Sequence, residues 1–171
     1  MPHPTSNTKA TIAVLTVSDT RTTETDSSGA MIVHLLEEVG HSVASRVIVK
    51  DESGEITNAV QRWVEDECIE VIVITGGTGP SRKDITPEVL QPMFSATMPG
   101  FGELFRQLSF EEIGSASILS RALAGWIDIH DYRKPVFILP GSTNAVTLAL
   151  SKIIIPQLGH LLDLCRMETV Q

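Results

Sequence analysis

The decapeptide Thr75-Gly76-Gly77-Thr78-Gly79-Pro80-Ser81-Arg82-Lys83-Asp84 brings together glycines, hydroxyls, two cations and a carboxylate within ten positions. Glycines let backbone N–H groups approach an anion, and hydroxyls and helix N-termini add further donors, so this composition suits a phosphate. The run is neither common nucleotide signature. Lys83 is preceded by Arg82 and followed by Asp84, which is not a Walker A ending, and Arg82 takes the place of a third glycine after Gly77 and Gly79. A bare Gly-Gly-Thr-Gly turn does not need cations beside a carboxylate, so the combination is the sharper signal. Three further stretches carry similar residue types: Ser18-Asp19-Thr20-Arg21, Lys50-Asp51-Glu52-Ser53-Gly54 and Pro140-Gly141-Ser142-Thr143-Asn144. Each has a plainer reading. Asp51 can cap a helix starting near Ser53, Asp84 can sit in the turn before Thr86, Ser142 can be an N-cap, and Arg21 and Arg121 can be solvated.

The elements around these stretches decide whether they meet. Ile12–Val17 and Val71–Ile74 are apolar runs of the kind covered on both faces of a sheet, and Ser42–Val49 alternates in part. Between them lie two helical patterns, one with Ile32, Leu35, Leu36 and Val39, opened by Asp26 and closed by Gly40, the other with Ile56, Val60, Trp63 and Val64. This β-α-β-α-β order requires right-handed crossovers and a parallel sheet. Thr86 and Pro87 open another helix, with Thr86 as its cap. Gly100–Gly114 has a helical middle, Ser120–Ile127 reads as a strand, and Val136–Leu139 as a buried strand after a polar turn at Asp131–Lys134. A last helix carries Ala145, Leu148, Ala149 and Ile153, with Pro156 predicted to break or kink it. Ligands bind outside the carboxyl ends of strands in such sheets, and all four polar stretches follow strands.

The chain has 171 residues and a formal net charge of −8. That balance excludes a broad basic footprint for nucleic acid or a polybasic membrane contact, but not a local cationic pocket. With 42% apolar residues, one domain over residues 11–171 has a full core; residues 1–10 read as a flexible polar tail without a signal peptide. No apolar run reaches transmembrane length, and a cytoplasmic location is expected. Cys68 and Cys165 form no CxxC pair, and the five histidines form no HxxxH or HExxH pair.

These residues resemble the molybdenum cofactor biosynthesis protein B family, related to molybdopterin adenylyltransferases and to the amino-terminal domain of gephyrin. The matching stretches are AVLTVSDTR (Ala13–Arg21), SSG (Ser27–Gly29), VIVITGGTGPSRKDITPE (Val71–Glu88), PGFGELFRQLSFEEIGSASILSRALAG (Pro99–Gly125) and LPGS (Leu139–Ser142). The resemblance implies a three-layer α/β/α fold with a mostly parallel sheet, assembled as a homotrimer or hexamer. It implies adenylylation of molybdopterin by ATP with Mg2+, releasing pyrophosphate, with a molybdopterin molybdenumtransferase as the downstream partner. By the same resemblance Asp51 and Asp84 are the catalytic, magnesium-binding pair, and Gly76, Gly77, Thr78 and Gly79 form the phosphate and pterin loop. Ser18, Asp19 and Arg21 belong to the first-strand loop, and Ser120, Arg121, Pro140, Gly141 and Ser142 to the pterin-side wall. The rival expectation is a non-catalytic protein that binds molybdopterin or its precursor, or acts as a scaffold. A stripe of Phe101, Leu104, Phe105 and Leu108 is available either to a subunit contact or to the chain's own core.

Overall fold

A computed structural model describes residues 6–167. Six strands form one sheet in the order β2-β1-β3-β6-β5-β4. The strands β1 (Thr11–Val17), β2 (Ser42–Val49), β3 (Val71–Thr75) and β6 (Tyr132–Leu139) pair in parallel. β5 (Leu123–Ile129) and the two-residue β4 (Ala96–Thr97) add an antiparallel edge. Helices α1 (Ser27–Glu38), α4 (Pro99–Ile113), α5 (Thr143–Ala149) and α6 (Ile155–Met167) cover one face; α2 (Ser53–Glu65) and the short α3 (Thr86–Leu90) cover the other.

Alternation along the strands builds both cores. Val71 and Val73 join one apolar cluster with Ile32, Leu36, Phe101 and Phe105, whereas Ile72 and Ile74 join the other with Ile56, Val60, Trp63 and Leu90. That is why the central strands read as unbroken apolar runs: neither face meets water. The register then aligns the strand ends. Val17 lies opposite Val49, Thr16 opposite Thr75, and Thr75 opposite Leu139. The chain therefore leaves β1, β2, β3 and β6 along one edge, and all four polar stretches sit there.

Several elements differ from expectation. The strand predicted over Ser120–Ile127 runs from Leu123 to Ile129 and joins β6 through a two-residue turn, His130-Asp131, in which His130 has φ 51°. A tight hairpin needs positive φ in its turn, and His-Asp is a weak signature for one. Thr86 does not cap α3; its hydroxyl donates to Gly76 O at 3.0 Å, and Ile85 stands at the cap without a side-chain bond. The last helix is not broken at Pro156. A π-turn at Leu150–Ile154 widens it just ahead of the proline, making room for the ring, and helical structure continues from Thr143 to Arg166. This stretch is long and apolar enough to cross a bilayer by length and composition. Val146, Leu150, Ile154, Leu158 and Leu162 are nevertheless buried against the sheet, as in the core helix of an α/β domain.

Residues 1–5 of the expected tail lie outside the described residues. Residues 6–10 are docked rather than free: Thr8 Oγ1 donates to Asp163 Oδ1 at 2.6 Å, and the Ala10 N–H donates to His41 Nδ1 at 3.1 Å. The α4 stripe is split. Phe101 and Phe105 are buried in the chain's own core, Leu108 is half-buried, and Leu104 is exposed.

Candidate functional site

A cavity of about 480 Å³ opens at the strand-end edge. Its floor is the turn after β3, whose shape two glycines make possible. Gly76 has φ +97°, and a Cβ there would stand 2.2 Å from the Val17 carbonyl oxygen. Gly77 has φ +63°, and its Cβ would meet Thr86 Oγ1 at 2.1 Å and Asp51 Oδ2 at 3.0 Å. Only glycine tolerates such positive φ together with so close an approach. The Gly76 N–H donates to Leu139 O at 3.1 Å and the Thr86 N–H to Gly77 O at 3.0 Å, which pins the turn between β6 and α3. Among the described residues, the N–H groups of Gly77, Thr78 and Gly79 have no acceptor within the protein. Those groups, in a turn with no Cβ in the way at two of three positions, can cradle an anion.

The two aspartates reach this turn from different directions. Asp51 follows β2, but α2 begins at Ser53 with Glu52 at its cap and no side-chain capping bond, so Asp51 is not the cap. Its carboxylate accepts the Ile85 N–H at 3.3 Å and lies against Gly77. Burial pushes the Asp51 carboxyl above its ordinary pKa. The neighbouring Asp84 and Asp19 add to the rise, and the Ile85 N–H and Arg121 oppose it. Asp84 ends the loop. Its Oδ2 accepts the Ser81 N–H at 3.1 Å and would stand 2.8 Å from a Cβ on Gly79, while Oδ1 has no hydrogen-bond donor among the described residues. One oxygen thus closes the turn and the other is left for a ligand.

The raised pKa has a measurable consequence. Ionised Asp51 costs stability in full above its raised pKa; as pH falls through that value the folded state takes up a proton and the cost is relieved, and below the ordinary carboxylate pKa no difference remains. Asp51→Asn, which keeps an acceptor for Ile85, is therefore expected to raise Tm modestly at neutral pH. Melting curves down a pH series should show the two proteins converging through the acidic range.

Of the expected residues, Ser18, Arg21, Gly76, Gly77, Thr78, Gly79, Asp84, Ser120, Pro140, Gly141 and Ser142 line the cavity; Asp51 does not, and reaches the site only through its contact with Gly77. Asp19 does not; its Oδ1 accepts the Asp51 N–H at 3.1 Å and joins the first two loops. Arg21 donates through Nη1 to Thr25 O and to Ser27 Oγ at the cavity wall. Ser142 is also the N-cap of α5, accepting the Ala145 N–H at 3.2 Å, so the plain reading and the site reading both hold for it. Arg82 and Lys83 are exposed and do not line the cavity. Neither does Arg121, whose guanidinium donates to the backbone of the glycine loop.

The structure also adds residues that sequence reasoning missed. Phe105, Ile113, Ala116, Leu119 and Ala145 form an apolar wall facing the anion-binding floor. They come from α4, the turn after it and α5, with no local signature linking them to Gly76. Beneath the site, Asp26 is almost wholly buried, at 1% exposure. It caps α1 by accepting the Gly29 N–H at 2.9 Å, and it also accepts Thr16 Oγ1 and, at 2.7 Å, Arg46 Nη2. Burial disfavours the charged form of Asp26, but Arg46, the Gly29 N–H and Thr16 together outweigh it and hold the carboxyl below its ordinary pKa. Asp26 was legible as a cap; its ion pair with β2 was not.

The sequence and fold have close counterparts. Residues 13–160 match the family described as the probable molybdopterin binding domain. The Molybdenum cofactor biosynthesis protein B of Bacillus subtilis (strain 168) is 49% identical over 156 residues, covering 91% of this chain and 89% of that protein. A crystal structure of a Molybdenum cofactor biosynthesis protein B superposes with a TM-score of 0.88 at 42% identity, covering 94% of this chain and 98% of the other. The tungsten cofactor synthesizing protein MoaB from Pyrococcus furiosus superposes at 0.84 with 37% identity, covering 92% and 98%. Sequence similarity over nine-tenths of the chain and one shared α/β fold make this protein a member of the molybdenum cofactor biosynthesis protein B family.

Proposed function

We propose that this protein works in molybdenum cofactor biosynthesis as a molybdopterin adenylyltransferase, using Mg-ATP and releasing pyrophosphate. The observation that carries the reading is the convergence of Asp51 and Asp84 on one glycine turn with free N–H donors, beside a cavity that Asp84 lines and that has a polar floor and an apolar wall. Such a cavity suits a flat heterocycle joined to a phosphate. Among the described residues no histidine, cysteine or lysine lines it, and this chemistry needs none. The terminal phosphate oxygen of molybdopterin attacks the α-phosphorus of ATP, the bond from that phosphorus to the bridging oxygen breaks, and pyrophosphate departs. Catalysis is then positioning and electrostatics. The N–H groups of Gly77, Thr78 and Gly79 and the Arg21 guanidinium hold phosphate oxygens, and the wall of Phe105, Ile113 and Leu119 offers the heterocycle an apolar face.

The donor set fits magnesium. Among the described residues no group of three or more His, Cys, Asp or Glu side chains is arranged to hold a metal alone. Magnesium is ordinarily held by one or two carboxylates, waters and substrate phosphates, and Asp51 and Asp84 are the two carboxylates placed to contribute. Bound there, it would neutralise the charge of the leaving pyrophosphate.

The deciding experiment is an assay of the purified protein with ATP, Mg2+ and molybdopterin. Adenylylated molybdopterin and pyrophosphate in equal amounts are expected. Tight pterin binding without product would instead leave a binding or scaffold protein. The reading extends to a cytoplasmic protein assembled as a homotrimer or hexamer, passing its product to a molybdopterin molybdenumtransferase. Phe110, Ile113, Ile118 and Leu119, at the end of α4 and in the turn after it, are exposed apolar side chains, with Ile118 80% exposed and Phe110 60%. Exposed large apolar side chains gathered in one short stretch suit an association site. Sedimentation is expected to show an oligomer that the double variant Phe110→Lys, Ile118→Lys reduces to monomer, with little change in the far-ultraviolet circular dichroism.

A further inference from the structure

Arg121 stands two residues before β5, beside α3, and all three of its guanidinium nitrogens are engaged. Nε donates to Thr78 O at 3.1 Å, Nη2 donates to Asp84 O at 2.6 Å, and Nη1 pairs with Glu88 on α3. Thr78 and Asp84 bracket the outer half of the glycine loop. Within that half, the Asp84 N–H donates to Ser81 O at 3.0 Å and the Ser81 N–H to Asp84 Oδ2 at 3.1 Å, so it is closed on itself. Among the described residues, Arg121 makes the only hydrogen bonds that tie residues 78–84 to the rest of the fold. The inner half is held without it, through Leu139 O and through Thr86, which donates from both N–H and Oγ1.

We propose that Arg121 is a positioning residue, a clip that fixes the outer half of the loop and so sets the Asp84 carboxylate against the inner half, and that it does not contact substrate. Its kinetic consequence rests on the adenylyltransferase reading; the clip itself does not. A planar guanidinium can hold two carbonyls and a carboxylate in one fixed fork. A lysine ammonium at the same place cannot span Thr78 O and Asp84 O together. Of the three free N–H donors, that of Gly77 stays anchored when the clip is loosened while those of Thr78 and Gly79 move with the outer half, so ligand affinity falls less than turnover, which also depends on the placement of the carboxylate. Loss of placement on that scale lowers turnover on the order of 10²-fold.

Arg121→Lys and the milder Glu88→Gln test this. In the ligand-free protein, Arg121→Lys is expected to speed exchange of the hydrogen-bonded amides of Ser81 and Asp84 by about tenfold or more with exchange in β1 and β3 unchanged, the signature of a local opening. The molybdopterin Kd should weaken by no more than about threefold, and kcat should fall much further with little change in KM, the pattern of an interaction that matters chiefly in the transition state. Glu88→Gln, which leaves both carbonyl bonds in place, should show the same pattern more weakly, and it carries the test if Arg121→Lys does not fold. Unchanged loop exchange with a molybdopterin Kd weakened in step with the loss of kcat/KM would overturn the proposal, because Arg121 would then be a substrate contact. Faster exchange spread through β1, β3 and β6 would overturn it equally, as a general loss of stability. A wild-type protein that transfers no adenylyl group would sink the proposed function, while loop exchange and pterin affinity would still judge the clip.

Discussion

Asp84→Ala is expected to lower adenylyl transfer by on the order of 10³-fold, the range seen when a group that stabilises transition-state charge is removed. The side chain has one protein hydrogen bond, to the Ser81 N–H in an exposed turn, so stability should fall by no more than about 1 kcal/mol. Pterin affinity should survive, because the N–H donors of Gly77 and Thr78 do not depend on Asp84. Activity, melting temperature and pterin Kd, measured on one preparation, separate these effects. Asp84→Asn sharpens the test. It can still accept from Ser81 and shape the turn, but it carries no charge. An Asn variant as inactive as the Ala variant assigns the loss to the carboxylate's charge; an active Asn variant would reduce Asp84 to a turn residue.

The second large effect is expected at Gly76. A methyl group there meets the Val17 carbonyl oxygen at 2.2 Å, and the obstacle is backbone in the central strand β1, not the end of a flexible side chain. The φ of +97° adds strain for any L-residue. Gly76→Ala must therefore part the ends of β1 and β3 just beyond the Thr16–Thr75 pair. Strain and overpacking together should cost about 3 kcal/mol, a fall in Tm of about 6–12 °C for a domain this size. Pterin binding should go with it, since the floor of the cavity is the part displaced. Gly54→Ala and Gly100→Ala are the controls: both lie in helices, and an added Cβ meets nothing within 4 Å. In helices such changes are neutral or mildly stabilising, by up to about 1 kcal/mol. A Gly76→Ala protein melting like these controls would show that β1 and β3 yield easily.

The resemblance implied Asp51 and Asp84, and the structure brings both to one turn. The four polar stretches could be anticipated to share an edge because each follows an apolar strand in a β-α-β order, and that order permits only one sense of crossover. Composition and periodicity are local records of burial, so Ser42–Val49 was legible to the residue and the faces of α1 and α2 were legible from their spacing. Glycine at Gly76 and Gly77 recorded a turn of positive φ in the same way.

What sequence could not carry was pairing between distant segments. The antiparallel β5–β6 hairpin depends on a His-Asp turn with a weak signature, stabilised by the sheet it joins rather than by its own residues. The α4 stripe read as one surface, and tertiary packing divided it, taking Phe101 and Phe105 into the core and leaving Leu104 outside. Arg121 resembled a substrate ligand by motif, whereas only the approach of β5 to the β3 loop shows its donors turned onto Thr78 and Asp84. By itself the sequence determined the β-α-β-α-β succession of the first half, its parallel pairing and the residue types of an anion site, because each follows from neighbours along the chain. The tertiary structure alone decided which donors face the cavity and which only hold its loops, because a side chain's hydrogen-bond partners are set by register and packing across the fold.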